Sequence, residues 1–469
     1  MKAKGLFQKE TLILIIALSL LLCPPNFFTT KAFALSIEDE RAMGQELLVQ
    51  VRGQFELLDD PFADQFINYL GHYLILPVET KFFPFHFYII KANNLNAFAG
   101  PGGHIFVFSG LIEVMDTVDE LAAVMCHEIG HVSARHLANR IAQAKKIGLA
   151  QLAGALAAVL IGGEAAGALL AGTMAAGIQA QLHYSREDER QADQLSFKYM
   201  KPAGLAPDAM ISSLKKIEQG SWFGTDKIPS YLLTHPTGPE RMSNLDAMLR
   251  SYTPGPLKKE VARLRRLFPI FKTVVSARCL APRDAERVFS RQLEKTPNSF
   301  LPHFGLGIVY MRESEYPKAI QELKKSLVIR PDFVPILRTL GESYQMNGQD
   351  KEALTVLQKA LKLDEEDKAT QYLLGLSYEN MGQYKKAIRL FERLASFRPV
   401  KDKVYYHLGI SYGRQKRLAF AHYYFGLYFV RLGQVQKARF HFQKAKGLSG
   451  NNPALRRKIQ KEIKMLGKE

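Results

Sequence analysis

The first third of the chain alternates helical and strand patterns. From Ser36 to Leu58, and again from Pro61 to Leu76, apolar residues recur among charged ones at helical spacing, which predicts two helices. Phe85 to Lys91 is rich in aromatic and β-branched residues and reads as a strand. Asn96 to Ala99, the turn Gly100-Pro101-Gly102-Gly103, and His104 to Ser109 read as strand, tight turn and strand, a small hairpin sheet. A helical run from Asp119 to Ala142 follows, with Thr117 and Glu120 spaced as a capping box at its start. Gly148 to Leu182 is an Ala/Gly/Leu stretch with one charge, Glu164. Its two arms, about fourteen residues each, are short for membrane spans, so a helical hairpin is expected, covering a site or resting against a membrane or partner.

After the turn Thr253-Pro254-Gly255-Pro256 the pattern changes. A basic helical stretch, Lys258 to Leu267, marks a linker helix within 256–283. Gly307, Gly341, Gly375 and Gly409 then stand 34 residues apart, each preceded by Leu and followed three positions on by Tyr310, Tyr344, Tyr378 and Tyr412. Ala319, Ala353 and Ala387 keep the same period. This spacing resembles tetratricopeptide repeats, helix pairs stacked into a solenoid. Ala285 to Pro297 fits half of an earlier unit. The register slips near the end, where Gly426 lies 17 residues after Gly409 and a further match follows at Gly433 and Ala438. Four repeats plus half-units are expected over 284–448, with a basic tail at 449–469.

Composition sets the address. Of 469 residues, 47% are hydrophobic and 23% charged, which suits folded domains rather than disorder. Lys2, Lys4 and Lys9 precede an apolar run from Leu12 to Cys23, and Ala32-Phe33-Ala34 supplies an A-x-A site, so 1–34 reads as a signal peptide cleaved after Ala34. Processing removes four Lys and one Glu, which takes the net charge from +18 to +15. Export argues against nucleic acid as a partner. Cys126 and Cys279 alone would remain, too few for a disulfide framework.

The chemistry sits in His127-Glu128-Ile129-Gly130-His131. Positions i and i+4 share a helical face, so both imidazoles can meet one ion, and Glu128 beside it can take a proton from the water that ion activates. A third ligand is needed. His136 follows His131 by five residues without the glycine a third-histidine motif requires, and a carboxylate from a second helix is the alternative: Glu189 and Asp193 lie at i and i+4. Their neighbours Glu187 and Asp188 are expected to face solvent.

These segments, together with Asn96 to Gly103 and Thr234-His235-Pro236 followed by Arg241, resemble the gluzincin metallopeptidases of the Ste24 and HtpX type. The resemblance implies one zinc ion held by His127, His131 and Glu189, with Glu128 as general base. It implies that Asp193 orients a ligand or assists as a proton donor. His235 is implied near the open metal position, either restraining the resting enzyme or helping to bind the transition state. Arg241 would neutralise a carboxylate or a developing oxyanion, and Asn96, Ala97 and Phe98 would form an edge strand that takes up extended substrate.

Signal, peptidase domain (35–255) and repeats in this order resemble the β-barrel assembly-enhancing protease family of the Gram-negative periplasm. The expected fold is mainly α with a small β-sheet, a zincin-type domain followed by an α-solenoid. The function this resemblance implies is zinc-dependent endopeptidase work on unfolded or misassembled outer-membrane proteins, with the repeats docking on the barrel-assembly machinery. A repeat-based chaperone or scaffold with a mostly latent site is the alternative. An assembly factor for exopolysaccharide or pili is a third class.

Overall fold

A computed structural model describes residues 35–143, 185–220, 229–398, 400–450 and 452–467. The expected signal peptide (1–34) and the hairpin at 148–182 lie outside the described residues.

Two helices open the fold, α1 (Ile37–Gln54), capped by Ser36, and α2 (Pro61–Leu74), capped by Asp60. Strands β1 (His86–Ile90), β2 (Ala97–Gly100) and β3 (His104–Phe108) form a sheet of order β1-β3-β2. β2 and β3 are the expected antiparallel hairpin, with Phe98 opposite Phe106, and β1 joins β3 in parallel. Short helix α3 (Ser109–Val114) leads to α4 (Val118–Ser133), buried along nearly its whole length. The capping box holds: Thr117 Oγ1 accepts from Glu120 N–H at 3.2 Å, and Glu120 Oε2 accepts from Thr117 N–H at 3.3 Å.

The helical run to Ala142 is not continuous. It breaks after Ser133, where Arg135 takes a left-handed φ of 53°, and resumes as α5 (His136–Gln143). The strain of that conformation in a non-glycine residue is offset by Arg135's guanidinium, which donates to Glu40 at 2.9 Å and to the Leu35 carbonyl at 2.7 Å. Beyond the undescribed stretch come α6 (Arg186–Ala203), α7 (Ala209–Gly220), α8 (Ser230–Thr234) and α9 (Pro239–Arg250).

The expected linker is part of the core. Helix α10 (Lys259–Cys279) buries Val261, Leu264, Phe268, Phe271, Val274 and Val275, and Phe271 stacks on Phe66 of α2 at 4.3 Å. One hydrophobic cluster runs from Leu58 to Leu374, because apolar side chains on more than one side of α10 bury surface from both flanks. Helices α11 (Pro282–Lys295), α12 (Phe300–Arg312), α13 (Tyr316–Ile329), α14 (Val334–Met346), α15 (Asp350–Leu363), α16 (Lys368–Asn380), α17 (Tyr384–Ser396), α18 (Asp402–Arg414), α19 (Leu418–Arg431), α20 (Val435–Leu448) and α21 (Pro453–Leu466) complete the chain. The repeat glycines mark close helix approach: a Cβ on Gly307, Gly341 or Gly375 would lie 2.5, 2.5 or 2.7 Å from Leu323, Leu357 or Phe391.

The register slip has a structural cause. The turns after α12, α14, α16 and α18 share one form: a left-handed residue (Ser314, Gly348, Gly382, Lys416), then an N–H bonded back to the repeat tyrosine's carbonyl. The turn after α19 has the same form, with Gly433 left-handed and Gln434 N–H bonded to Phe429 O at 2.9 Å. Helix α19 thus closes one repeat and opens the next, with Ala421 packed in the first and Gly426 in the second. At the terminus, residues expected as a basic tail form α21, which buries Leu455, Ile459 and Leu466. Charge hid an apolar stripe at positions 455, 459 and 466. Cys126 and Cys279 are both free thiols.

Candidate metal centre

Helix α4 carries His127 and His131 one turn apart, with Nε2 atoms 3.0 Å from each other. Helix α6 crosses it at Gly130, where an added Cβ would stand 3.0 Å from the Ala192 carbonyl oxygen, so only glycine admits this approach without displacement. Ser185 and Asp188 cap the start of α6. That start sets Glu189 and Asp193 against α4. Glu189 Oε2 lies 3.4 Å from His127 Nε2, and Oε1 lies 3.4 Å from His131 Nε2. After α8, His235 brings Nδ1 to 2.9 Å from Glu189 Oε1 and 3.3 Å from His127 Nε2. All four side chains are buried and their ligating atoms fall within 4.8 Å of one another.

The donor set fits a zinc ion. Ligand bonds of about 2.0–2.2 Å at tetrahedral angles put neighbouring donor atoms roughly 3.3–3.6 Å apart; the two histidine Nε2 atoms stand at 3.0 Å, and each lies 3.4 Å from a different oxygen of Glu189. The electrostatics ask for a cation. Burial alone would raise the pKa of Glu189, but His235 and His127 outweigh it and hold the carboxylate well below its ordinary range. Burial opposes charge on His127 too, yet Glu189 and Asp193 lift it to about 9. The site draws positive charge, which a divalent ion can supply in place of a proton. Burial pushes His131 well down, which keeps it neutral as a ligand must be.

Glu128 is fully buried one residue from His127, with Oε1 3.5 Å from His235 Nε2. Burial raises its pKa against the pull of His235 and His127. Asp193 sits behind the ligands, where Oδ1 lies 2.9 Å from His127 Nδ1. Arg241 on α9 bonds both Asp193 oxygens and places Nη1 2.9 Å from Glu189 Oε2. Of the two roles open to Arg241, the geometry supplies the carboxylate partner.

Asn96, Ala97 and Phe98 are at the sheet edge, and β2 packs beside α4. All three are buried, with Phe98 stacked on Phe106 at 4.8 Å, so this edge is covered. Contrary to expectation, Asp188 does not face solvent but is half-buried, accepting from Ser185 N–H at 2.9 Å and Arg140 Nε at 2.9 Å. A helix start with free N–H groups recruits such a carboxylate. Glu187 is exposed as expected.

Two residues at the site carry no role in the sequence reading. His136 brings Nδ1 to 3.0 Å from His131 Nδ1, with its Nε2 2.8 Å from Gln191 Oε1. On a continuous helix, position i+5 points away from His131, and the break at Arg135 is what returns it. Tyr231 is buried and stacks on His235 with ring centroids 4.6 Å apart, and its N–H bonds the Leu95 carbonyl at 3.2 Å. Only the adjacent Thr234-His235-Pro236 motif hinted at that segment.

Residues 65–249 match peptidase family M48, and residues 369–399 match a tetratricopeptide repeat. The chain is 33% identical over 235 residues to the β-barrel assembly-enhancing protease of Yersinia pestis, covering 50% of this chain and 48% of that one. It is 30% identical over 316 residues to the putative β-barrel assembly-enhancing protease of Vibrio cholerae, covering 66% and 64%. A mitochondrial metalloendopeptidase, OMA1 of Arabidopsis thaliana, is 33% identical over 153 residues, or 33% of this chain and 29% of that one. The chain thus spans about half to two thirds of the length of the β-barrel assembly-enhancing relatives. With the ligand geometry above, these matches make residues 65–249 a metallopeptidase domain of family M48, in a repeat-bearing homologue of the β-barrel assembly-enhancing proteases.

Proposed function

We propose that the protein is a zinc-dependent endopeptidase of the periplasm that cuts unfolded or misassembled outer-membrane proteins, with its repeats docking on the barrel-assembly machinery. The observation that carries the chemistry is the convergence of His127, His131 and Glu189 beside the buried carboxylate of Glu128. When bound, zinc supplies a Lewis acid that polarises the scissile carbonyl and lowers the pKa of water. Glu128 takes the proton of the attacking water and passes it to the leaving nitrogen, a role that suits a carboxylate whose pKa burial has raised. Asp193 orients His127, and Arg241 holds Asp193 in place. Asn96 to Phe98 would align extended substrate along β2 once that edge is uncovered.

His235 lies within the ligand cluster and Tyr231 is stacked on it, so we assign His235 to the fourth metal position in a closed resting state. The same observation favours the second reading, a chaperone or scaffold with a mostly latent site. Glu128→Gln separates the two. It should lower cleavage of unfolded polypeptide by roughly 10²- to 10⁴-fold with zinc at one per chain. A scaffold function would survive it. Absence of stoichiometric zinc in the wild type would sink the endopeptidase reading and leave only the scaffold.

A further inference from the structure

The chain's charge is concentrated at one end. Residues 398–469 carry 17 Lys and Arg against 3 Asp and Glu, +14 of the total +18. From Lys403 to Lys461 there are 13 basic residues and no acidic one. These residues build α18 to α21, the last four described helices.

Their outer faces are not merely charged. On α20, Lys437, Phe440, Lys444 and Leu448 follow at intervals of three and four residues and so share one face. Phe440 is 52% and Leu448 48% exposed, and Lys444 Nζ stands 5.9 Å from the Phe440 ring centroid. A different side of α20, about a third of a turn away, is used by the core through Ala438, Phe442 and Ala445. Helix α21 repeats the arrangement: Leu455 and Ile459 turn inward, while Arg457, Lys458, Lys461, Lys464 and a 48% exposed Met465 turn outward.

A terminal repeat needs a polar outer face, but solubility calls for neither a single sign of charge nor large apolar side chains set among the lysines. Lysine stems can lie along apolar neighbours while their ammonium groups reach outward. Basic side chains interleaved with exposed apolar ones suit an anionic bilayer surface, where ammonium groups meet headgroup phosphates and apolar side chains reach just beneath them. An acidic polypeptide would satisfy the charge, but would leave Phe440, Leu448 and Met465 unexplained.

We propose that α20 and α21 seat the repeat end of this protein on a bilayer bearing anionic phospholipid headgroups. The Lys and Arg side chains pair with headgroup phosphates, and Phe440, Leu448 and Met465 enter the boundary between headgroups and acyl chains. This goes beyond the peptidase reading and does not depend on it.

The test is flotation of the full chain with vesicles of phosphatidylethanolamine containing about 30% phosphatidylglycerol, against vesicles of phosphatidylcholine alone. Binding should be confined to the anionic vesicles and fall steeply between about 0.1 and 0.5 M salt. Combining Lys437→Gln, Lys444→Gln, Lys458→Gln, Lys461→Gln and Lys464→Gln should weaken it by at least about 30-fold. Combining Phe440→Ser, Leu448→Ser and Met465→Ser should weaken it by about tenfold or more, with an unchanged thermal melt. Equal binding to neutral vesicles, or none to anionic ones, overturns the proposal. So does binding that the serine variant leaves intact and that polyglutamate or duplex DNA displaces, since the surface would then take any polyanion. Should the glutamine variant fail to fold, the salt series on the wild type decides the electrostatic part.

Discussion

Arg241 donates from Nε and Nη2 to both oxygens of Asp193, at 2.8 and 2.9 Å, and so fixes the carboxylate that meets His127 Nδ1. A carboxylate held this way sets the tautomer and angle of the imidazole in front of it. Asp193→Asn should therefore lower zinc affinity by about 10- to 100-fold while the fold persists. Arg241→Lys should lower it too, because one ammonium cannot reproduce the planar fork. Competition against a chromogenic chelator measures both, and wild-type affinity in each would show that Asp193 is merely structural.

His235 belongs to the ligand cluster although it lies outside the two helices that carry the other donors. Replacing it by Ala should open the fourth position, raise basal cleavage of an unfolded polypeptide several-fold, and alter the visible spectrum of the cobalt-substituted protein. Unchanged cleavage together with an unchanged spectrum would remove His235 from the site.

Asp64 on α2 is half-buried, and burial, together with the charges of Asp59 and Asp60, raises its pKa to about 7 against the opposing pull of Lys401. The folded state then binds its proton more tightly than the unfolded chain, whose value is about 4. Its contribution to stability is full below about pH 4 and is lost as pH rises through about 7. Asp64→Asn should match the wild type near pH 4 and exceed it by roughly 2 kcal/mol at pH 8 in urea melts. An equal gain at both pH values would assign the effect to something other than this titration.

Gly130 is the point of contact between α4 and α6. Gly130→Ala should cost roughly 1–3 kcal/mol of stability, because the Ala192 backbone must retreat. It should also weaken zinc binding, since that retreat carries Glu189 away from both histidines. Loss of stability with wild-type zinc affinity would mean that α6 shifts without turning.

What could be read from the residues and what could not divide along physical lines. Local signals were sufficient for α4's capping box, the β2–β3 hairpin and the 34-residue period, because each is written in nearby side chains. The two histidines one turn apart were legible for the same reason, whereas the spacing offered Glu189 and Asp193 alike and only the family resemblance singled out Glu189. Arg135 was not: nothing in its sequence marks a left-handed residue, since the strain is offset by Glu40 and Leu35 from the other end of the domain. The placement of His136 and Tyr231 depends on such long-range contacts. The slip at Gly426 was visible as spacing, but its meaning, one helix serving two repeats, required the turn at Gly433. The charges of α21 outnumbered its three buried residues and concealed a helix.

Helix α10 has a mechanical consequence. It is a rod of 21 residues, about 30 Å long. Near one end Arg265 grips Asp119, in the first turn of the helix that carries the histidines, at 2.9 Å. Near the other, Arg278 holds Asp60 at 3.1 Å, and Arg312 of the repeats bonds the Ala277 carbonyl. One helix therefore anchors both the first turn of the metal helix and the start of the repeats, so the two parts share a foundation and are not merely tethered. Cutting the chain near residue 255 would also strip Phe66 of its stacking partner Phe271.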